Sequence, residues 1–111
     1  MQPIRIEVGG KTYTAGRITA AISREVVQIQ KESIELAKMG KELQDDEKNL
    51  DSAMQVLDKL TALREKKSWV VCEAYGNQFT LDELEGGLTD AEIEIAVNRI
   101  MFAVNGIMTK N

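Results

Sequence analysis

At 111 residues, with 14 basic and 18 acidic side chains and a formal net charge of −4, the chain has room for one modest core. It carries no excess of positive charge for a nucleic-acid duplex. It has no histidine and a single cysteine, Cys72, which excludes an intramolecular disulfide and leaves a nucleophilic thiol without its usual base.

The first element is a β-hairpin. Ile4, Ile6 and Val8 alternate with Arg5 and Glu7, a period of two, and Gly9-Gly10 follows at once. Two glycines can both adopt positive φ, as a tight hairpin turn requires. Thr12, Tyr13 and Thr14 supply the returning strand, so the hairpin is expected over residues 3 to 17. Such a hairpin is marginal alone and must pack on helices or pair through a free edge. No phosphate-loop pattern accompanies the two glycines.

Thr19 is a fitting N-cap for a helix over about residues 20–43. Ile22, Val26, Ile29, Ser33, Leu36, Met39 and Leu43 recur at three- and four-residue spacing, one apolar stripe interrupted by Ser33. Gly40 and the run Gln44 to Lys48 weaken the helical pattern, and a bend or loop is expected there. The next helical segment spans about 49–75. Leu50, Ala53, Met54, Leu57, Leu60 and Leu63 mark its apolar face. The tetrad Arg64-Glu65-Lys66-Lys67 either divides it in two or lies on one continuous helix, since the stems of Lys and Arg can cover apolar surface. Trp69, the largest side chain in the segment, is expected to anchor the core against Tyr75 or Phe79. Gly76-Asn77 ends the helix.

Two short motifs then repeat one device. Thr80 and Glu83 have capping-box spacing, Phe79 and Leu84 have staple spacing, and Gly86-Gly87 closes a helix of about 80–85. Thr89 and Glu92, with Leu88 and Ile93, open a helix of about 89–105. Ile93, Ala96, Val97, Ile100, Met101, Val104 and Met108 form its buried face, and Gly106 is expected to fray or stop it. Ile95, Phe102 and Ile107 lie off that stripe. An apolar surface this wide points to protein contact through these three residues, with crowded core packing as the alternative. The fold class is therefore mainly α (α+β): one domain over 1–111, an N-terminal β-hairpin packed on a bundle of four to five helices.

Chemistry is hard to place. Asp45-Asp46-Glu47 sit in what reads as a solvated linker, where nothing separates their pKa values. Ser23, Ser33, Ser52 and Ser68 lack nucleophile context, and Asp82, Glu83 and Glu85 lack the spacing of a calcium loop. No catalytic, cofactor-binding or metal site is expected, and no cofactor. From Ser68 to Asn98 the chain carries seven carboxylates and no Lys or Arg, either a solvated acidic face or a surface for a basic partner. Ile4 to Val8 is no secretory h-region, and the apolar run around Ile100 to Val104 falls far short of the ~20 residues of a membrane span. Neither a membrane nor nucleic acid is expected as a partner, and the cytoplasm is the natural compartment.

The opening Ile4-Arg5-Ile6-Glu7-Val8-Gly9-Gly10-Lys11-Thr12-Tyr13 leads into a long charged helix. The later Trp69-Val70-Val71-Cys72-Glu73-Ala74-Tyr75-Gly76-Asn77-Gln78-Phe79-Thr80 leads into Leu81-Asp82-Glu83-Leu84. Together these segments resemble the small tail assembly chaperones of long-tailed bacteriophages infecting Gram-positive hosts. The resemblance implies a mainly helical, non-enzymatic protein that self-associates. It implies a tape measure protein as partner, kept soluble while tail-tube subunits polymerise around it. It also implies contact with the major tail protein through a longer form made by frameshifting. Such a protein works in the host cell cytoplasm and is absent from the mature virion. The competing reading is a small helical phage regulator that binds DNA or a host regulatory protein.

Overall fold

The computed structural model describes residues 4–45 and 50–109, with side chains over 4–43 and 50–105. The chain runs β1 (Arg5–Val8), β2 (Lys11–Thr14), α1 (Ala20–Asp45), α2 (Leu50–Ala74), α3 (Leu81–Gly87) and α4 (Asp90–Thr109). Among the described residues it is an α+β fold with four helices and one antiparallel hairpin. A bend or loop was expected from Gln44 to Lys48; α1 continues through Gly40 to Asp45, and residues 46–49 lie outside the described residues.

The hairpin forms as its residues require. Gly9 and Gly10 have φ of +58° and +81°, the two positive values of a two-residue turn whose twist matches the strands. Val8 pairs with Lys11, Glu7 with Thr12, Ile6 with Tyr13 and Arg5 with Thr14. Alternation then turns Ile6 and Val8 into the core and leaves Arg5, Glu7, Thr12 and Thr14 outside. Gly87 at the end of α3 lies so close that a Cβ there would stand 3.4 Å from Val8 Cγ1.

Caps set the helix boundaries. The Thr19 hydroxyl accepts from the Ile22 N–H (3.3 Å) at the start of α1. Thr80 and Thr89 each close a capping box, with Glu83 and Glu92 respectively. α2 ends in a Schellman motif: Gly76 N–H donates to the Glu73 carbonyl and Asn77 N–H to the Cys72 carbonyl, with both turn residues at positive φ. α2 is one helix through Arg64 to Lys67, because Lys66 and Lys67 reach sideways to carboxylates on α1 and α4. Gly106 does not stop α4, which runs on to Thr109.

The core gathers at one end. Ile22, Val26 and Ile29 from the first half of α1 meet Leu63, Val70, Val71 and Ala74 from the second half of α2. Ile93, Ala96, Val97, Ile100 and Val104 of α4, Leu84 of α3 and the inner face of β1 close over them. The far halves of α1 and α2 contribute no buried residue among those described and project as an antiparallel arm. The radius of gyration of 15.7 Å exceeds the ~13 Å of a compact chain this long, as an arm demands.

Trp69 is not the core anchor. It is 45% exposed, the lone tryptophan turned to the open side of α2 with Asp58, Ala62 and Glu65. At 100° per residue, burying Val70, Val71 and Ala74 rotates position 69 out of the interior. The aromatic anchor is Tyr75 with Phe79. Their rings lie 5.8 Å apart, and Phe79 makes an edge contact with Tyr13 of the hairpin at 5.1 Å.

Candidate protein-contact surfaces

Two apolar surfaces lie open. The first is on the arm. Leu50, Met54 and Leu57 recur at i, i+4 and i+7 on α2, and each is at least 60% exposed. They were expected on the buried face with Leu60 and Leu63, but among these only Leu63 is buried and Leu60 half-buried, with Val56 half-buried beside them. Ile34 of α1 is 72% exposed and carried no sequence signal, because it stands off the α1 stripe. Further along α2, the side that continues from Leu50, Met54 and Leu57 is covered: Ser68 and Cys72 are buried there. Intramolecular packing therefore stops partway along this side and leaves apolar surface beyond it.

The second surface is on α4. Ile95 is 52% and Phe102 83% exposed, seven residues apart and so close to one face. The Ile107 and Met108 side chains lie outside the described residues. Ile95 borders a groove of ≈ 390 Å³ between α4 and β1, walled by Arg5 and Glu7 on one side and Glu92 and Arg99 on the other. Arg99 Nη1 reaches across and donates to the Arg5 carbonyl (3.4 Å).

Most charges near these surfaces already have structural work. Lys66 bonds Glu32 on α1 and Lys67 bonds Glu94 on α4, each at 2.8 Å. The Glu32 carboxylate raises the Lys66 ammonium above its ordinary pKa. Two of the three basic residues in this tetrad are thus engaged in ion pairs, which weakens its reading as a phosphate-binding cluster. In the acidic run, Glu83 and Glu92 serve capping boxes, Glu94 takes Lys67, Glu85 accepts from the Ser68 hydroxyl (3.2 Å) and Glu73 from the Asn77 amide (3.3 Å). Asp82 and Asp90 lie in the first turns of α3 and α4, where the helix dipole favours them. The run from Ser68 to Asn98 is explained by local structure without a basic partner.

Cys72 is buried, and desolvation, with the charges of Glu73 and Glu85 behind it, pushes the thiol above its ordinary pKa and holds it protonated. Among the described residues, no three His, Cys, Asp or Glu side chains converge as a metal site. No described helix is long and apolar enough to cross a membrane.

What this geometry offers is surface: an apolar stripe on a projecting arm, a second on α4, and a groove beside an edge strand. No curated protein and no solved structure matches the chain. A family model described as phage tail chaperone protein matches residues 3–111, so the chain belongs to that family of phage tail chaperones.

Proposed function

We propose that the protein acts without catalysis, binding the tape measure protein and keeping it soluble while tail-tube subunits polymerise around it. The observation that carries this reading is the exposed apolar helix surface on both α2 and α4 of a tail chaperone. Leu50, Met54, Leu57 and Phe102 are each at least 60% exposed. Contiguous apolar surface rimmed by charge marks a protein-binding site in a soluble domain. Ile95, Phe102 and Ile107 remain the candidate contacts on α4, joined now by the arm residues. Self-association through the same surfaces belongs to this reading; two different patches on one chain favour heterologous contacts, which form rings or open spirals. The work would take place in the host cell cytoplasm, with the protein absent from the mature virion. A longer frameshifted form would recruit the major tail protein.

Co-expression with the tape measure protein tests the proposal. Soluble tape measure protein should rise with the wild-type chain. It should fall back with Met54→Glu and Phe102→Glu, two exposed positions where a charge leaves the core intact. Equal recovery with and without the chain overturns the reading. Light scattering that stays monomeric at high micromolar concentration removes the self-association.

A further inference from the structure

Each helix of the arm turns one face toward the other helix and one face outward. On α1, Glu32 bonds Lys66 of α2, and Leu36 and Met39 stand beside Lys59 and Leu63. At 100° per residue, Ile34 lies about 160° around α1 from Leu36, on the side away from α2. Val27, seven residues earlier, shares that side and is also exposed. On α2, Met54 lies about 180° around the helix from Leu63, so Leu50, Met54 and Leu57 face away from α1. The arm thus carries an apolar stripe on each of two opposite edges.

A charged row runs beside each stripe, and the rows have opposite sign. Arg24, Lys31 and Lys38 recur every seven residues along α1, as do Asp51, Asp58 and Glu65 along α2. All six are exposed, and none forms an ion pair among the described residues. Within these spans Glu35 and Arg64 are the outward charges that run against the rows. With α1 of one copy antiparallel to α2 of another, one register brings Arg24 level with Glu65, Lys31 with Asp58 and Lys38 with Asp51. The same register sets Ile34 beside Met54 and Val27 beside Thr61. Each row flanks its stripe on the same rotational side, so antiparallel pairing puts the two rows face to face and parallel pairing separates them. Antiparallel pairing of like helices instead opposes basic to basic or acidic to acidic rows, which is unfavourable.

We propose that the arm is the contact between copies of this chain: the outer face of α1 in one copy takes the outer face of α2 in the next, antiparallel, with the charged rows paired. The two faces lie on opposite edges, so each copy engages a different neighbour through each, and the contact is heterologous. A facing stretch of about four turns is small beside a standard interface, so the contact is weak and depends on concentration and salt. This deepens the self-association in the function proposed above and rests on that part of it; Ile95 and Phe102 of α4 stay open for the tape measure protein.

Sedimentation equilibrium of the full chain, from micromolar to millimolar concentration, tests the inference. The parent should associate, and less so at high salt. Lys31→Glu with Lys38→Glu should weaken association by at least about tenfold, and Asp51→Lys with Asp58→Lys by as much. All four changes on one chain restore opposite signs and should bring association back to within about threefold of the parent. The four positions are exposed, and circular dichroism checks that each variant keeps the parent's helix content. Should the fourfold variant not fold, an equimolar mixture of the two reversed-charge variants replaces it, since each then offers the other a complementary face. A reversed-charge variant that associates as the parent does overturns the arm contact. So does a fourfold variant or mixture as weak as either variant alone, and so does a parent that stays monomeric throughout. In any of these cases, soluble tape measure protein recovered on co-expression leaves the chaperone reading standing. Equal recovery with and without the chain sinks that reading and leaves the arm contact to the association data.

Discussion

Replacing Tyr75 by Phe should stabilise the protein. The Tyr75 side chain is completely buried, and its hydroxyl has no protein hydrogen-bond partner among the described residues. Burial raises the phenol pKa, with Arg99 opposing weakly, so the group stays protonated at any pH of interest. An unsatisfied buried hydroxyl costs about 1–3 kcal/mol of desolvation. Deleting it leaves a void of roughly 15 Å³, worth about 0.4 kcal/mol at ~24 cal/mol per Å³. The net gain should be near 1 kcal/mol, or ~4 °C in Tm for a domain of this size. The ring contact with Phe79 is untouched, so the aromatic anchor persists. Thermal melts by circular dichroism, with urea titrations read by the same probe, give the comparison. Tyr13→Phe, at a partly exposed ring, is the control and should move stability by less than about 0.5 kcal/mol. A Tyr75→Phe variant that melts 2 °C or more below the parent (about half a kcal/mol) would show that the hydroxyl is hydrogen-bonded in solution and refute the reasoning.

Three further outcomes follow from the caps and from Trp69. Thr80→Ala should cost about 1 kcal/mol by removing an N-cap, and it should flatten part of the acid limb of the stability curve, since the backbone N–H of residue 80 still bonds Glu83. Bonds from the Thr80 N–H and hydroxyl hold the Glu83 carboxyl below its ordinary pKa, so their stabilisation is present above the usual carboxylate range and is lost as pH falls through the lowered value; an unchanged acid limb would contradict this. Gly76→Ala should cost about 1–2 kcal/mol through backbone strain alone, since φ is +66° and a Cβ would meet nothing within 4 Å; a neutral substitution in a urea titration would argue against the Schellman end of α2. Trp69, as the lone tryptophan, should show solvent-relaxed emission that acrylamide quenches readily, whereas blue-shifted and protected emission would return it to the core.

The local elements were readable because their causes are local. The two glycines after an alternating strand, and Thr80-Glu83 and Thr89-Glu92 ahead of apolar residues, act through backbone groups within a few positions. The hairpin, both capping boxes and the Gly76-Asn77 stop all appear where the sequence places them. The stripe Ile93, Ala96, Val97, Ile100 and Val104 was equally legible, since 3.6-residue periodicity fixes which residues share a face.

Periodicity does not say what a face meets. Leu50, Met54 and Leu57 form as regular a stripe as the core of α4, yet they stay exposed: the first turns of α4 lie beside Leu60 to Ser68, past this stretch of α2. Trp69 is the bulkiest apolar candidate on α2, but its position one residue before Val70 turns it outward once Val70 and Val71 are buried. Ser68 has no role legible in the sequence, and only the approach of α3 brings Glu85 to its hydroxyl. What flanks each side of the hairpin also needed the tertiary structure: Gln78 bonds the outward Thr14 carbonyl of β2, Arg99 the Arg5 carbonyl of β1, and α4 leaves a groove beside β1. The sequence by itself determined the elements and their caps, through interactions between neighbours in the chain. Which apolar faces stay exposed was decided by which elements pack over them.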